Sequence, residues 1–266
     1  MSSLPRILLA PNPSPMTMDG TRTYIVGRER PAVIDPGPRI RSHLDAIVSA
    51  LDGRAPVAIL LTHAHPDHAD AALPLAELTG APVMMARGAP HPLAGVARWI
   101  ADGDRIDTDA GTLTAVATPG HAAEHLAFHW PEGNALFVGD AFMGGADTTL
   151  VAPPEGDLGA YLDTLDRVGE LAVGTLYPAH GPEIADAAPA VERYRAHRRE
   201  RIEQVARALA AGGAAHPDAL VDAVYGPALH PGLRMAAAGS LGAILHHLRA
   251  TGRVRVLADG TFTLAG

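Results

Sequence analysis

The stretch VAILLTHAHPDH, residues 57–68, constrains this chain more than any other part of it. An apolar run of strand length ends there in four potential metal ligands, His63, His65, Asp67 and His68. Side chains alternate along an extended chain, so His63 and His65 can point to one side, while Asp67 and His68 lie in the following turn. One loop can therefore supply two ligands to each of two neighbouring metal ions.

Three further candidate ligands stand where an apolar, strand-like run gives way to a turn. They are His121 in TPGHAAEH, Asp140 in ALFVGDAF and His180 in GTLYPAHGP. Loops held by a rigid scaffold often carry functional side chains. Imidazole nitrogens and carboxylate oxygens suit Zn²⁺, and also Fe or Mn. We therefore expect two metal ions, with zinc preferred.

The absence of cysteine excludes disulfides, thiolate nucleophiles and thiolate metal sites. The sequence also has no G-x-S-x-G elbow, P-loop or G-x-G-x-x-G motif. Two metal ions about 3.5–4 Å apart can share a bridging hydroxide, which is a nucleophile at neutral pH. These features predict a metal-dependent hydrolase in which Asp67 or Asp140 carries a proton to the leaving group.

Strand-like and helical segments alternate over the first part of the chain, which predicts an α/β fold of sheets covered by helices. After Pro189 three helical segments are followed by a hairpin turning at Asp259-Gly260, the outline of a winged helix. The charge changes near the same place, from −12 over residues 1–186 to +4 over residues 187–266. We predict a catalytic domain at 1–187 and a winged-helix-like domain at 188–266.

The motif THAHPDH resembles the H-x-H-x-D-H signature of the metallo-β-lactamase superfamily, and TPGHAAEH, FVGD and PAHGP resemble its later ligand motifs in the same order. The resemblance implies an αβ/βα sandwich with the site at one edge. It further implies three sets of metal ligands. They are His63, His65 and His121 for one ion, Asp67, His68 and His180 for the other, and Asp140 as the bridge.

Longer stretches, NPSPMTMDGTRTYIVG and GDAFMGGADTTLVAPPEGDLGAYLDTL, are similar to the β-lactamase-like protein 2 group of this superfamily. Its best-known animal members are described as single-strand endoribonucleases. Other relatives carry Cys at the position of Asp140, or Glu at the position of His65. These departures disfavour β-lactam hydrolysis and a redox di-iron centre.

Other polar residues near the motifs have two interpretations each. His125 either supports a ligand or is a buried structural histidine, and Asp35 either lies behind the ligands or serves a turn. His129 is assigned to the sheet, and His246-His247 to a solvated or interfacial surface.

Three function classes remain. The acidic first domain favours hydrolysis of a small ester or thioester, because an acidic surface repels long polyanions. The family resemblance favours cleavage of single-stranded RNA, which an Arg-lined path from the second domain to the metals would support. The complete ligand set argues against the third class, a non-enzymatic nucleic-acid-binding regulator. The residues leave the first two open.

The remaining expectations concern location and partners. No apolar run reaches 18 residues and the N-terminal one has only four, which predicts a cytoplasmic protein without membrane association. The segment 233–252 is rich in Ala and Leu and offers few donors for base edges, so sequence-specific DNA binding is not expected. The family resemblance also implies a homodimer.

Overall fold

The computed structural model describes residues 4–89, 93 and 95–265, which form thirteen strands and seven α-helices. The strands are β1 (Arg6–Leu9), β2 (Arg22–Val26), β3 (Ala32–Ile34), β4 (Ala58–Leu60), β5 (Val83–Met85), β6 (Arg98–Trp99), β7 (Arg105–Thr108), β8 (Gly111–Ala117), β9 (Leu126–Trp130), β10 (Ala135–Gly139), β11 (Thr175–Pro178), β12 (Val254–Val256) and β13 (Phe262–Leu264). The helices are α1 (Arg41–Leu51), α2 (Pro66–Ala69), α3 (Ala72–Thr79), α4 (Leu158–Glu170), α5 (Ala187–Gly212), α6 (Pro217–Tyr225) and α7 (Arg234–Ala250).

The first sheet contains β1 to β6 in chain order. Its first three strands are antiparallel, and β3 to β6 are parallel. Strands β3, β4 and β5 are short buried apolar runs, as expected where both faces of a sheet are covered. On the outer face, Ile47 of α1 and Leu75 of α3 belong to one buried cluster with Ile59 and Val83 of the sheet.

The second sheet has the order β11-β10-β9-β8-β7, in which only β10 and β11 are parallel. Its outer face is covered by α4 and α5. Tyr161, Leu165 and Val191 of these helices share a buried cluster with Leu136 and Val138 of β10.

The inner faces of the two sheets form a third buried cluster. Tyr24 and Leu60 of the first sheet meet Phe128, Trp130 and Phe137 of the second there. The ring centroids of Tyr24 and Phe137 are 5.1 Å apart. The layers are therefore helix, sheet, sheet, helix, and the predicted αβ/βα sandwich is confirmed.

The strands that precede the candidate ligands end at one edge of this sandwich. The parallel strands β10 and β11 lead directly to Asp140 and His180. Gly139, at the end of β10, has a φ of +48°, and a Cβ there would lie 2.6 Å from Thr62 Oγ1 and 2.7 Å from His125 Nε2. Only glycine allows the two sheets to approach this closely beside the site.

The C-terminal part consists of α5, α6, α7 and the antiparallel hairpin β12–β13. Ala215 pairs with Phe262 and extends the hairpin by one bridge. This is the winged-helix arrangement predicted from the sequence. Leu241 and Ile244 of α7 and Phe262 belong to the same buried cluster as Tyr161 of α4, so this part shares its core with the sandwich.

The β-branched runs TYIVG and PAVIDPG predict a hairpin, which β2 and β3 form, and apolar residues at helical spacing predict the helices α1, α4, α6 and α7, which the structure contains. The apolar pattern of residues 69–80 predicts a helix, which α3 forms, and the short helix α2 that precedes it was not predicted. The pattern of the long helix predicts a start at Val191, whereas α5 begins four residues earlier, at Ala187. Strands β1 and β6 were not predicted. The domain boundary after residue 187 falls in the first turn of α5 and stays a prediction.

None of the helices in the described parts of the chain has the length and apolar character needed to span a bilayer.

The shared core predicts that the two parts unfold together. Leu241 is fully buried, so Leu241→Ala is expected to lower the free energy of unfolding by about 2–5 kcal/mol. Met235 on the same helix is 86% exposed, and Met235→Ala is the control, with a change within about 0.5 kcal/mol. Urea unfolding followed by circular dichroism measures both. Two separate transitions, only one of them shifted by Leu241→Ala, would contradict a continuous core.

Candidate metal centre

The first group of candidate ligands brings together three imidazoles from two loops. His65 Nδ1 lies 2.9 Å from His63 Nε2 and 3.1 Å from His121 Nε2. His63 and His65 follow β4, and His121 lies in the connection between β8 and β9. Three nitrogen atoms therefore converge on one point at the edge of the sandwich.

The second group brings together Asp67, His68 and His180. Asp67 Oδ2 lies 3.2 Å from His180 Nε2 and 3.6 Å from His68 Nε2. Asp67 and His68 belong to the single-turn helix α2, and His180 follows β11. This group combines two nitrogens with a carboxylate oxygen.

Asp140 lies between the two groups, and its two oxygens face different imidazoles. Oδ1 is 3.4 Å from His68 Nε2 and 3.3 Å from His180 Nε2, whereas Oδ2 is 3.5 Å from His121 Nε2. A carboxylate in this position can contact an ion in each group.

The partners behind the imidazoles determine which ring nitrogen faces the site. His121 Nδ1 donates to the carbonyl of Leu150 at 2.7 Å, and His180 Nδ1 donates to the carbonyl of Gly20 at 3.1 Å. A carbonyl only accepts, so each Nδ1 carries the hydrogen and each Nε2 keeps its lone pair. His65 is turned the other way, with Nε2 2.9 Å from Glu155 Oε2 and Nδ1 towards the site.

Asp35 does the same for the remaining two histidines. His68 Nδ1 lies 2.9 Å from Asp35 Oδ2, which also accepts from Thr62 Oγ1 at 2.7 Å. The Thr62 hydroxyl is thereby left to accept from His63 Nδ1 at 3.0 Å. Asp35 has a φ of +48°, an uncommon conformation for a residue with a Cβ, and such strain often marks functional sites. These contacts agree with the interpretation that Asp35 lies behind the metal ligands, and not with a role limited to the turn.

The electrostatics of the second group favour positive charge between its carboxylates. Burial by itself lowers the pKa of His68, but the carboxylates of Asp140 and Asp35 outweigh it and raise that pKa well above its usual range. Burial opposes the same change in His180, where Asp140 and Asp67 raise the pKa to about 9. Burial tends to raise the pKa of Asp140, but His68 and His180 hold it well below its usual range.

The first group has the opposite character. Burial, together with the neighbouring His68 and His121, lowers the pKa of His63 well below its usual range. Burial also lowers the pKa of His121. A lowered pKa favours the neutral ring of His63 and of His121, and the neutral imidazole is the form that binds metal ions.

Two buried polar atoms in this cluster lack a partner among the described residues, which indicates room for a divalent ion. In the described parts of the chain, His68 Nε2 and Asp140 Oδ1 have no hydrogen-bond partner although both are buried. Buried polar atoms nearly always have a partner, so their orientation into the site calls for one that the protein does not supply. The donor set of nitrogens and carboxylate oxygens fits a divalent ion such as zinc, iron or manganese.

Other residues discussed from the sequence take supporting positions. The backbone N–H of Asp140 donates to His125 Nε2 at 3.2 Å, and His125 Nδ1 lies 2.8 Å from Thr118 Oγ1. His125 is thus both buried and a support for the Asp140 loop. Sequence reasoning missed Thr62 and Glu155. Thr62 adjoins His63, so the hydrogen-bonding capacity of its hydroxyl was a usable signal, whereas nothing near Glu155 marks it.

The family comparison agrees with this geometry. The sequence matches the metallo-β-lactamase superfamily over residues 17–180, and the β-lactamase-associated winged helix domain over residues 217–261. The chain belongs to the metallo-β-lactamase superfamily. This membership, together with the donor cluster, supports a metal-dependent hydrolase.

Three curated relatives are informative. Lactamase-like protein adaB of Aspergillus niger is 34% identical over 76% of this chain and 62% of its own length. The β-lactamase-like protein 2 homolog of Caenorhabditis elegans is 30% identical over 76% of this chain and 70% of its own. Atrochrysone carboxyl ACP thioesterase of Aspergillus chevalieri is 33% identical over 77% and 66%. The chain thus spans less than two thirds of adaB.

Solved structures extend the likeness to the whole chain. A β-lactamase domain protein from Burkholderia ambifaria has a TM-score of 0.87 and 23% identity, with 98% of this chain and 91% of that one covered. At this identity the likeness shows the fold. A di-iron-bound form of the protein TTHA1623 has a TM-score of 0.56 and 28% identity, covering 71% of this chain and 97% of the other.

The contacts of Asp35 predict a specific effect on metal binding. Asp35→Asn keeps the size of the side chain but removes the charge behind His68, so the affinity for zinc is expected to fall about 10- to 100-fold. Competition with a chromophoric chelator measures this. Asp45→Asn, at an exposed position of α1, is the control. Equal zinc affinity in the Asp35 and Asp45 variants would contradict the assigned role of Asp35.

Proposed function

We propose that the chain is a zinc hydrolase with a dinuclear site and that it cleaves a small ester or thioester. The observation that carries the proposal is the position of Asp140, whose two oxygens face the two groups of donors. In this proposal His63, His65 and His121 hold one ion, and Asp67, His68 and His180 hold the other. Asp140 contacts both.

When bound, the two ions supply Lewis acidity towards the substrate oxygen and lower the pKa of water. In the net reaction, water adds to the acyl carbon, the carbon–sulfur or carbon–oxygen bond breaks, and a proton ends on the leaving group. Asp67 is the better carrier of this proton because its side chain is 28% exposed, against 11% for Asp140. Asp140 holds the donors in place from its more buried position.

The residues that line the cavity beside the candidate metal ligands favour a substrate whose reacting group is small and uncharged. A cavity of about 180 Å³ adjoins His65 and His121, and Glu155 and the Pro153-Pro154 segment form its outer wall. None of its described lining residues is an arginine or a lysine. A carboxylate at the entrance disfavours a phosphodiester backbone, and the net charge of −12 over residues 1–186 acts in the same direction.

The relatives support the same class of substrate. One protein with 33% identity is named a thioesterase acting on a carboxyl-ACP substrate. Thioesters also suit a site with one exposed proton carrier, because a thiolate is a far better leaving group than an alkoxide. We therefore place a thioester first. Single-strand endoribonuclease activity, which the resemblance to the β-lactamase-like protein 2 group implies, comes second.

Asp140→Ala tests the dinuclear assignment. It removes the carboxylate shared by both groups, so turnover is expected to be lost and zinc content to fall from two ions towards one per chain. Metal analysis after desalting measures the content. Asp147→Ala, which removes an exposed carboxylate paired with Arg193, is the control and should retain both ions. Two ions and full turnover in the Asp140 variant would refute the assignment.

A direct comparison of two substrates tests the reaction class. Zinc-loaded protein is expected to hydrolyse an acyl-N-acetylcysteamine thioester, monitored by thiol release, and to leave a labelled single-stranded RNA intact. The Asp140→Ala protein is the control in both assays. RNA cleavage that disappears in this control, without thioester hydrolysis, would replace the proposed reaction by the nuclease alternative.

A further inference from the structure

A second cavity lies on the far side of the loop that supports His121. It has a volume of about 230 Å³ and is lined by the 143–150 loop, the N-terminal turn at Pro15-Met16 and the helices of the C-terminal part. Most of its wall is apolar, including Met16, Met143, Leu150, Leu229, Leu233 and Ile244. Nothing in the proposed reaction uses this space.

Two arginines of α5 line this apolar cavity. Arg198 is only 3% exposed, and its Nε has no hydrogen-bond partner in the described parts of the chain. No acidic side chain is among the described lining residues, and none forms a salt bridge with Arg198 or with Arg201 in the described structure. A buried cation without a counter-charge is costly, so the cavity favours an anion from outside.

Both guanidinium groups are held in fixed positions. Arg198 donates to the carbonyl of Thr149 and lies over the ring of Tyr161, 4.8 Å from its centroid. Arg201 donates to the carbonyl of Val224 at 3.0 Å and lies 4.6 Å from the centroid of the Tyr225 ring. Fixed guanidinium groups bind carboxylates well because less conformational freedom is lost on binding.

The backbone connects this cavity to the metal centre. The carbonyl of Thr149 accepts from Arg198, and the carbonyl of the next residue, Leu150, accepts from His121 Nδ1. Leu150 also lines both this cavity and the one beside His65. Two adjacent backbone carbonyls therefore contact the buried Arg198 and the candidate metal ligand His121.

We propose that this cavity binds the acyl end of the substrate and that this end is an apolar group with a terminal carboxylate. The inference rests on the proposed thioester hydrolysis and specifies its substrate. The apolar wall takes the body of the acyl group, and Arg198 and Arg201 take the carboxylate. The volume of about 230 Å³ is below the usual range of roughly 300–1,000 Å³ for drug-sized ligands, so it fits one small acyl group.

A matched pair of N-acetylcysteamine thioesters tests the charge preference. The octanoyl thioester and the suberic acid monothioester have acyl chains of equal carbon number, and only the second ends in a carboxylate. Wild-type protein is expected to have a kcat/KM at least about tenfold higher for the suberic thioester. Arg201→Gln is expected to lower this value about 10- to 100-fold and to change the octanoyl value less than about threefold. Arg199→Gln, at an exposed neighbouring position, is the control.

Arg198→Gln is made in parallel, but it also removes a contact to the 143–150 loop. If the Arg198 variant does not fold, the inference is still tested by the Arg201 variant and by the ratio of the two kcat/KM values in wild-type protein. Equal kcat/KM values for the two thioesters in wild-type protein, with no selective loss in Arg201→Gln, would overturn the inference and leave the proposed hydrolysis intact.

A binding measurement separates the cavity from the reaction. Fluorescence titration is expected to show that 1-naphthoate binds wild-type protein at least about tenfold more tightly than 1-naphthamide, and that Arg201→Gln removes the difference. Competitive inhibition of suberic thioester hydrolysis by 1-naphthoate would support a substrate subsite, and non-competitive inhibition would overturn it. Arg-dependent binding of 1-naphthoate without hydrolysis of either thioester would refute the proposed function while supporting the carboxylate site.

Discussion

The carboxylate of Asp140 is the contact on which the rest of the site depends. Its two oxygens face imidazoles of different groups, so one buried side chain joins donors from three other loops. This requires both sheets to end at the same edge and to approach closely. Gly139 permits that approach, and the hydrogen bond from the Asp140 backbone to His125 holds the loop in place.

The C-terminal helices belong to the same physical unit as the site. Their apolar side chains lie in one cluster with α4 and the outer face of the second sheet. The Tyr194 hydroxyl on α5 also accepts a hydrogen bond from the backbone N–H of Met143 at 2.8 Å. The C-terminal part therefore stabilises the loop beside the candidate metal centre.

Much of the fold and the positions of the candidate ligands could be predicted from sequence. His63, His121 and His180 each follow an apolar run, and this local pattern indicates both the strand and the turn that carries the ligand. The partners of these rings could not be predicted, because the carbonyls of Gly20 and Leu150 are backbone groups that every residue possesses. Strand β6 has only two residues, too few for any periodicity to appear.

The adjacent carbonyls of Thr149 and Leu150 couple the choice of substrate to the reactivity of the candidate metal centre, two properties that are usually considered independently. The first accepts from Arg198 and the second accepts from His121, and their two rigid peptide planes meet at the Cα of Leu150. A displacement of the Thr149 carbonyl that changes the backbone angles of Leu150 would change the hydrogen bond to His121 and therefore the basicity of its other nitrogen. A substitution of Arg198 that alters acyl preference would consequently also affect the candidate metal centre, so that substrate range and metal reactivity would evolve together at this position.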